Sequence, residues 1–294
     1  MQIITVDKKH NEKLLSNFLL DTFPELNINT LYKALRKKDI RINDIRINTD
    51  VLVHFNDEIK VYIVDELLYK LFEPQIIYED ENILVVNKPS GLEVVGENSF
   101  TSNLKNFFIS KHSNLQSSLF LEPCHRLDRN TTGLVLFAKN PEALTILLDK
   151  FKSHEIEKHY LAKVYGIPKI KSQTLTAYLF KDNKKSMVYI SDEPKKGYVK
   201  IITSYCVFEK HTKENYCLLD VTLHTGKTHQ IRAHLAHIGY PIIGDGKYGN
   251  NQINKQFGYK TQQLCSYILK FNFSTDAGIL NYLNEKSIVL KVIN

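Results

Sequence analysis

After residue 76 the chain runs through one short β-type segment after another, with few helical stretches between them. Ile83-Leu84-Val85-Val86 is a continuous apolar run of strand length, broken by Lys88-Pro89-Ser90-Gly91. Val135-Leu136-Phe137-Ala138 is another, closed by Asn140-Pro141. Further strand-like segments fall near 158–165, 174–180, 186–190, 200–208 and 215–223. Helical patterns are confined to 103–110, 141–151 and about 228–238. A doubly wound parallel sheet needs a helix after nearly every strand. The pattern therefore predicts an α+β fold for residues 76–294: a mixed, mainly antiparallel sheet with flanking helices and loops.

A small α/β module, residues 1–65, precedes it. Leu14, Leu15, Phe18 and Leu19 follow helical spacing, and Phe23-Pro24 ends that helix. A second helix fits 30–38, with Leu31, Ala34 and Leu35 on its apolar side. Val51, Val53 and Phe55 alternate, as do Ile59, Val61 and Ile63, and Asn56-Asp57 between them predicts a hairpin. Residues 66–75, with Glu66, Glu73 and Pro74, read as a linker.

The net charge of +7 suits a polyanionic partner, because cations on phosphates release counterions. Residues 1–70 balance, with 11 basic and 11 acidic side chains. Within 30–49, however, Lys33, Arg36, Lys37, Lys38, Arg41 and Arg46 face only Asp39 and Asp44. That stretch is either a solvated helix face or a phosphate-contacting edge. Four cysteines without CxxC spacing point to reduced thiols, not zinc or a disulfide framework. No run approaches the length of a membrane span, and the first residues lack the regions of a secretory signal, so the expected location is cytoplasmic.

The polar stretch from Pro123 to Gly133 leads straight into the apolar segment 134–138. Asp128 lies in it between Arg126 and Arg129, cations that favour an ionised carboxylate. By itself such an aspartate reads as a turn that caps loop amides and pairs with an arginine, or as a catalytic carboxylate. Tyr160 reads as a strand tyrosine half-buried against the core. In the helix near 228–238, Ile231, Leu235 and Ile238 face the core, and Arg232, one step round, is either solvent-exposed or aimed into a cleft.

The stretch His125-Arg126-Leu127-Asp128-Arg129-Asn130-Thr131-Thr132-Gly133-Leu134 resembles the signature of the RluA-type RNA pseudouridine synthases. Three more blocks follow that family's order: 79–92 with Asn87-Lys88-Pro89-Ser90-Gly91-Leu92, 158–166 with Lys158-His159-Tyr160, and 225–249 with Thr225-Gly226-Lys227-Thr228-His229-Gln230-Ile231-Arg232 and Gly244-Asp245. The apolar and basic positions of residues 15–59 are similar to the ribosomal-protein-S-four-like (alpha-L) RNA-binding module. The resemblance implies isomerisation of uridine in RNA, a reaction without redox change that needs neither cofactor nor metal. It implies Asp128 as the carboxylate that attacks C1′ or removes the C2′ proton, Tyr160 against the base with a phenol able to help at C5, and Arg232 as the partner of Asp128. A stacked base is out of reach, so the nucleotide must be extruded, and Arg126 resembles the residue that takes its place. His125, Arg129, Lys227, His229, Gln230, Lys33, Arg36, Lys37, Lys38 and Arg41 complete the expected RNA contacts. The implied partner is RNA, ribosomal in preference to transfer RNA, bound by a monomer. A binding protein that keeps this fold without turnover is the rival reading, and the retention of Asp128, Tyr160 and Arg232 opposes it.

In two places the sequence departs from the family pattern. Lys227 stands where the family usually has arginine, losing bidentate phosphate contact but keeping charge. Val95 stands where many members have histidine. Other chemistries fit poorly. Of His229, His234 and His237 only the last two share a helix face and no nearby cysteine completes a ligand set, Gly226-Lys227-Thr228 lacks the upstream glycine of a phosphate-binding loop, and no GxGxxG follows a strand.

Overall fold

The computed structural model describes residues 1–23, 25–64, 67–68, 72–111 and 119–291. Pro24, expected to end the first helix, and linker positions 66 and 69–71 lie outside the described residues. The chain divides into two compact units, Met1–Glu73 and Pro74–Asn294.

The first unit runs β1 (Gln2–Thr5), β2 (Lys13–Leu14), α1 (Leu15–Thr22), α2 (Ile28–Lys37), β3 (Ile40–Ile42), β4 (Ile45–Ile47), β5 (Leu52–Val53) and β6 (Glu58–Val61). Asn27 caps α2 by accepting from the Thr30 amide, and Lys38 ends it in the left-handed region at φ 59°. Leu15, Phe18, Leu19, Leu31 and Leu35 pack against Ile40, Ile59 and Val61. The antiparallel sheet has the order β1-β6-β3-β4, and β2 pairs separately with β5. The predicted hairpin over 51–63 is therefore wrong, although its turn is real. Asn56 sits at φ 70°, and the turn is docked on Val6 by the Asn56 amide to Val6 carbonyl and Val6 amide to Asp57 carbonyl bonds. That docking sends the following strand beside β1 instead of back along β5.

The second unit contains β7 (Gln75–Glu79), β8 (Ile83–Lys88), α3 (Phe100–Lys111), β9 (Glu122–Pro123), β10 (Thr132–Ala138), α4 (Pro141–Lys152), β11 (Ile156–Tyr165), β12 (Ser172–Asp182), β13 (Met187–Ser191), β14 (Val199–His211), β15 (Tyr216–Leu223), α5 (Gln230–His237), α6 (Asn251–Phe257), β16 (Leu264–Phe271) and β17 (Ser287–Val289). Its sheet runs β13-β12-β14-β15-β11-β16-β10-β8-β7, with β17 beside β16 and β9 beside β10. Among the described residues every pairing is antiparallel except β10 with β16. The α+β class expected from the strand-rich pattern is what the chain adopts. Strand β16, at the centre of the sheet, is one the patterning did not pick out.

Strands β8 and β10 are buried along nearly their whole length, as continuous apolar runs require. Leu134, Leu136 and Val85 pack with Leu147 of α4 and with Leu269 and Phe271 of β16. Strands β12 and β14 alternate instead, and Ala177, Leu179 and Ile201 meet Ala233 of α5 on one face. Gly133 lets β10 and β16 approach: a Cβ there, at φ +106°, would lie 2.1 Å from the Ser266 carbonyl oxygen. No helix among the described residues is long and apolar enough to cross a membrane.

Candidate active site

The loop before β10, the bulged middle of β11 and the start of α5 hold the three residues the sequence singled out. The Thr131 amide donates to the backbone carbonyl of Asp128, turning the chain into β10. The Asp128 carboxylate is not used to cap the loop. Its Oδ2 accepts from Arg232 Nη1 at 2.8 Å, a bond between residues 104 positions apart. Its Oδ1 has no hydrogen-bond partner among the described residues, and the side chain stays 25% exposed. The cation at Asp128 is thus Arg232, not the flanking Arg126 or Arg129.

Arg232 is buried on α5 and forks between two carboxylates. Nε meets Asp245 Oδ2 at 2.7 Å and Nη2 meets Asp245 Oδ1 at 3.0 Å. Burial opposes its charge, but the bonds and charge of Asp245, then those of Asp128, outweigh that and hold the guanidinium above its ordinary range. Asp245 is itself fully buried. Burial works against its charge too, and Arg232 with the Lys247 and Tyr248 amides keeps it below the usual carboxylate range.

Tyr160 lies where β11 bulges between His159 and Tyr160, a device that re-aims a side chain. It is 5% exposed. Burial, then the charge of Asp128, raises its phenol above the ordinary value, with Ser266 opposing.

The expected RNA contacts separate into exposed and interior groups. Arg126, Lys227, Lys33, Arg36, Lys37 and Lys38 are exposed and make no ion pair among the described residues. Arg41 is partly stowed over the Tyr62 ring, 5.0 Å from its centroid. Arg129 is exposed, yet its Nε donates to the Gly91 carbonyl at 2.9 Å and braces the loop. His125 and Gln230 are corrections. The His125 Nε2 accepts from the Leu136 amide at 3.2 Å, its ring packs on Phe151, and burial lowers it to about 3, so it is a neutral interior group. Gln230 is 2% exposed; it accepts from Thr225 and the Lys227 amide and donates to the Ile202 carbonyl and Thr203. Gln230 spends all its polar atoms inside the fold, and His125 spends Nε2 there while its buried Nδ1 has no partner among the described residues.

His229 belongs beside the carboxylate. It starts α5 at φ 53°, its Nδ1 is 2.8 Å from the Tyr248 hydroxyl, and its Nε2 is 4.0 Å from Asp128 Oδ2. Burial lowers its pKa, the charge of Asp128 opposing. The other two histidines of that region point elsewhere, His234 to Thr203 and His237 to Asp192.

Sequence reasoning quoted Lys88 and Asp245 without giving them roles. Lys88 is fully buried, and its Nζ donates to the carbonyls of Pro89, Leu92 and Arg129 at 2.8, 2.8 and 2.9 Å. Burial pushes it down to about 8, the charge of Asp128 opposing. Three carbonyls match the three protons of an ammonium, so Lys88 is charged at neutral pH. With the Gly91 amide donating to the Arg129 carbonyl, it staples the turn after β8 to the Asp128 loop. The available signal was a lysine closing an apolar run.

The sequence model of the RNA pseudouridylate synthase family matches residues 82–237, which include Asp128, Tyr160 and Arg232. A Rickettsia bellii protein named ribosomal large subunit pseudouridine synthase C is 34% identical, over 85% of this chain and 87% of that one. A Mycoplasma capricolum protein named uncharacterized RNA pseudouridine synthase is 33% identical, over 97% of this chain and 95% of that one. Among solved structures, human RNA pseudouridylate synthase domain containing 4 has the same fold, with a TM-score of 0.60 at 22% identity over 74% of this chain and 88% of that one. Agreement over most of both sequences, and not in one block alone, shows that the chain belongs to the RNA pseudouridylate synthase family, isomerases that act on uridine in RNA.

Proposed function

We propose that the protein isomerises uridines of large-subunit ribosomal RNA to pseudouridine, with Asp128 as the catalytic carboxylate. The observation that carries this is the 2.8 Å bond from Arg232 to Asp128 Oδ2, which leaves Oδ1 unpartnered and the carboxylate open to a ligand. Uridine must lose its N1–C1′ bond, turn, and rejoin through C5. Asp128 Oδ1 meets the ribose, at C1′ as nucleophile or at the C2′ proton as base. Arg232 holds the carboxylate aimed.

Tyr160 offers its ring to the base. Burial keeps its phenol protonated, which argues against a phenolate taking the C5 proton. Arg126, exposed two residues before Asp128, enters the stack left by the extruded nucleotide, and Lys227 takes a phosphate. In the first unit Lys33, Arg36, Lys37 and Lys38 form an exposed cationic edge for the RNA backbone. The names of the relatives favour ribosomal over transfer RNA. Asp128, Tyr160 and Arg232 come from one chain, which suits a protein that works as a monomer on RNA in the cytoplasm.

The test is tritium release from RNA labelled at uridine C5. Large-subunit ribosomal RNA from cells lacking the gene should release tritium in proportion to added enzyme. Release from transfer RNA alone overturns the substrate, and RNA binding without release from either overturns the activity.

A further inference from the structure

We propose that a groove on the face of the sheet turned away from Tyr160 is a second RNA track, which takes a single-stranded stretch of the substrate RNA. The inference rests on RNA being the substrate and not on the role of Asp128.

Successive strand residues point to opposite faces, so Leu161 and Lys163 of β11 face away from Tyr160. Cross-strand pairing carries that face across the sheet. Lys163 lies opposite Leu218 of β15, which lies opposite Glu209 of β14. On the other side, Leu161 lies opposite Cys265 of β16, which lies opposite Thr132 of β10. Asn87 of β8 and its partner Gln75 of β7 complete the row. All of these positions line one groove of about 570 Å³. From β14 to β7 the row crosses seven adjacent strands, roughly 29 Å at about 4.8 Å per spacing. A volume of this size spread over that length suits an extended chain better than a compact ligand.

The groove's chemistry selects a polyanion with hydrogen-bonding edges. Lys163 Nζ lies 4.3 and 5.2 Å from the ring centroids of Tyr216 and Tyr259, and 3.3 Å from the Tyr259 hydroxyl. It makes no ion pair among the described residues, and Lys291 adds an exposed cation. Glu209, the one carboxylate among the lining residues, is engaged by His211 at 2.9 Å. A phosphate there meets cations and no free acid. Asn87, Asn130, Gln262 and Gln263 bring carboxamides, whose donor and acceptor match the edges of unpaired bases. Asn87 donates to Gln75 Oε1 at 2.7 Å, while its buried Oδ1 has no partner among the described residues. The groove also meets the catalytic loop. Asn130, two residues after Asp128, lines it, and Gln262 donates to Thr131 Oγ1 at 3.2 Å. RNA flanking an extruded uridine therefore has a track that begins beside that loop.

The probe is a fluorescent oligoadenylate of about 12 nucleotides, within the usual range of single-strand sites. It holds no uridine, so binding is read apart from turnover. Wild type is compared with Lys163→Gln/Lys291→Gln and with a control pair outside the groove, Lys152→Gln/Lys270→Gln, which also removes two lysines. The groove pair should weaken binding about 10-fold at physiological salt and flatten the plot of log affinity against log salt by about 1.4, about 0.7 for each phosphate contact on a single strand. The control pair should change affinity less than about 2-fold. Equal losses in the two pairs, or none in the groove pair, overturn the proposal. So does a groove pair that loses binding of polyglutamate while keeping oligoadenylate, which assigns the groove to an acidic peptide. If the groove pair does not fold, ultraviolet crosslinking of oligoadenylate to wild type decides. Crosslinked peptides containing Tyr216 or Tyr259 support the track, and crosslinks confined to other residues overturn it. Absent tritium release from wild type would overturn the proposed activity and leave this binding result standing.

Discussion

The buried cations of the second unit and the exposed cations of the first act in opposite ways. In the second, Arg232 and Lys88 are buried and each is held by named partners at hydrogen-bond distance. In the first, Lys33, Arg36, Lys37 and Lys38 are exposed and unpaired among the described residues. A buried cation acts through geometry, so losing one leaves partners stranded in a low dielectric. An exposed cation acts through a screened field, so several share the work and salt competes with all of them. The contrast separates the site proposed for the chemistry from a surface suited to holding a polyanion.

The most severe test is Asp128→Asn, which keeps shape and removes charge. Tritium release should fall by at least about 10³-fold, while RNA affinity measured by filter binding stays within a few fold. Equal losses in binding and turnover would blur the distinction between the units. Next is Lys88→Met, which orphans three buried carbonyls. It should destabilise the second unit by about 3 kcal/mol in urea unfolding and lower turnover through the Asp128 loop. A neutral result would mean the staple is dispensable.

On the other side of the comparison, replacing Lys33, Arg36, Lys37 and Lys38 together with alanine should weaken RNA binding about 10-fold at physiological salt and flatten the plot of log affinity against log salt by about 3. Melting temperature should barely move. An unchanged salt slope would remove this edge from the RNA interface.

The smallest effect concerns stability alone. Lys150 and Glu155 form a buried pair at 2.9 Å, and the lysine bond, with burial opposing, lowers the Glu155 carboxyl to about 2. A depressed folded pKa contributes stability above the unfolded value near 4.5 that is lost as pH falls toward about 2. Glu155→Gln should therefore melt below wild type at pH 7, and the gap should narrow between pH 4.5 and 2. A gap independent of pH would show that packing, not charge, holds this corner.

The strand-rich class was legible because burial on one or both sheet faces writes period-two or continuous apolar patterns into each segment. Helix α4 was legible from Asn140-Pro141, whose side chain and ring start a helix locally. The hairpin over 51–63 failed because its turn is held by Val6, a residue 50 positions away from Asn56. His125 and Gln230 were misplaced for a related reason. Polar side chains in a polar block look like ligand contacts, and only the packing of Phe151 against one and the Thr203 bond of the other show that they turn inward.

The sequence by itself determined the strand segments, the basic edge within 30–49 and the four ordered blocks that mark the family, since each depends on residue type and short-range order. Tertiary structure alone decided which charges meet. Placing β10 beside β16 and α5 over the sheet brings Arg232 to Asp128 across 104 positions and puts buried Asp245 on the other edge of the same guanidinium. Bond geometry and burial depend on long-range packing, which no local pattern encodes.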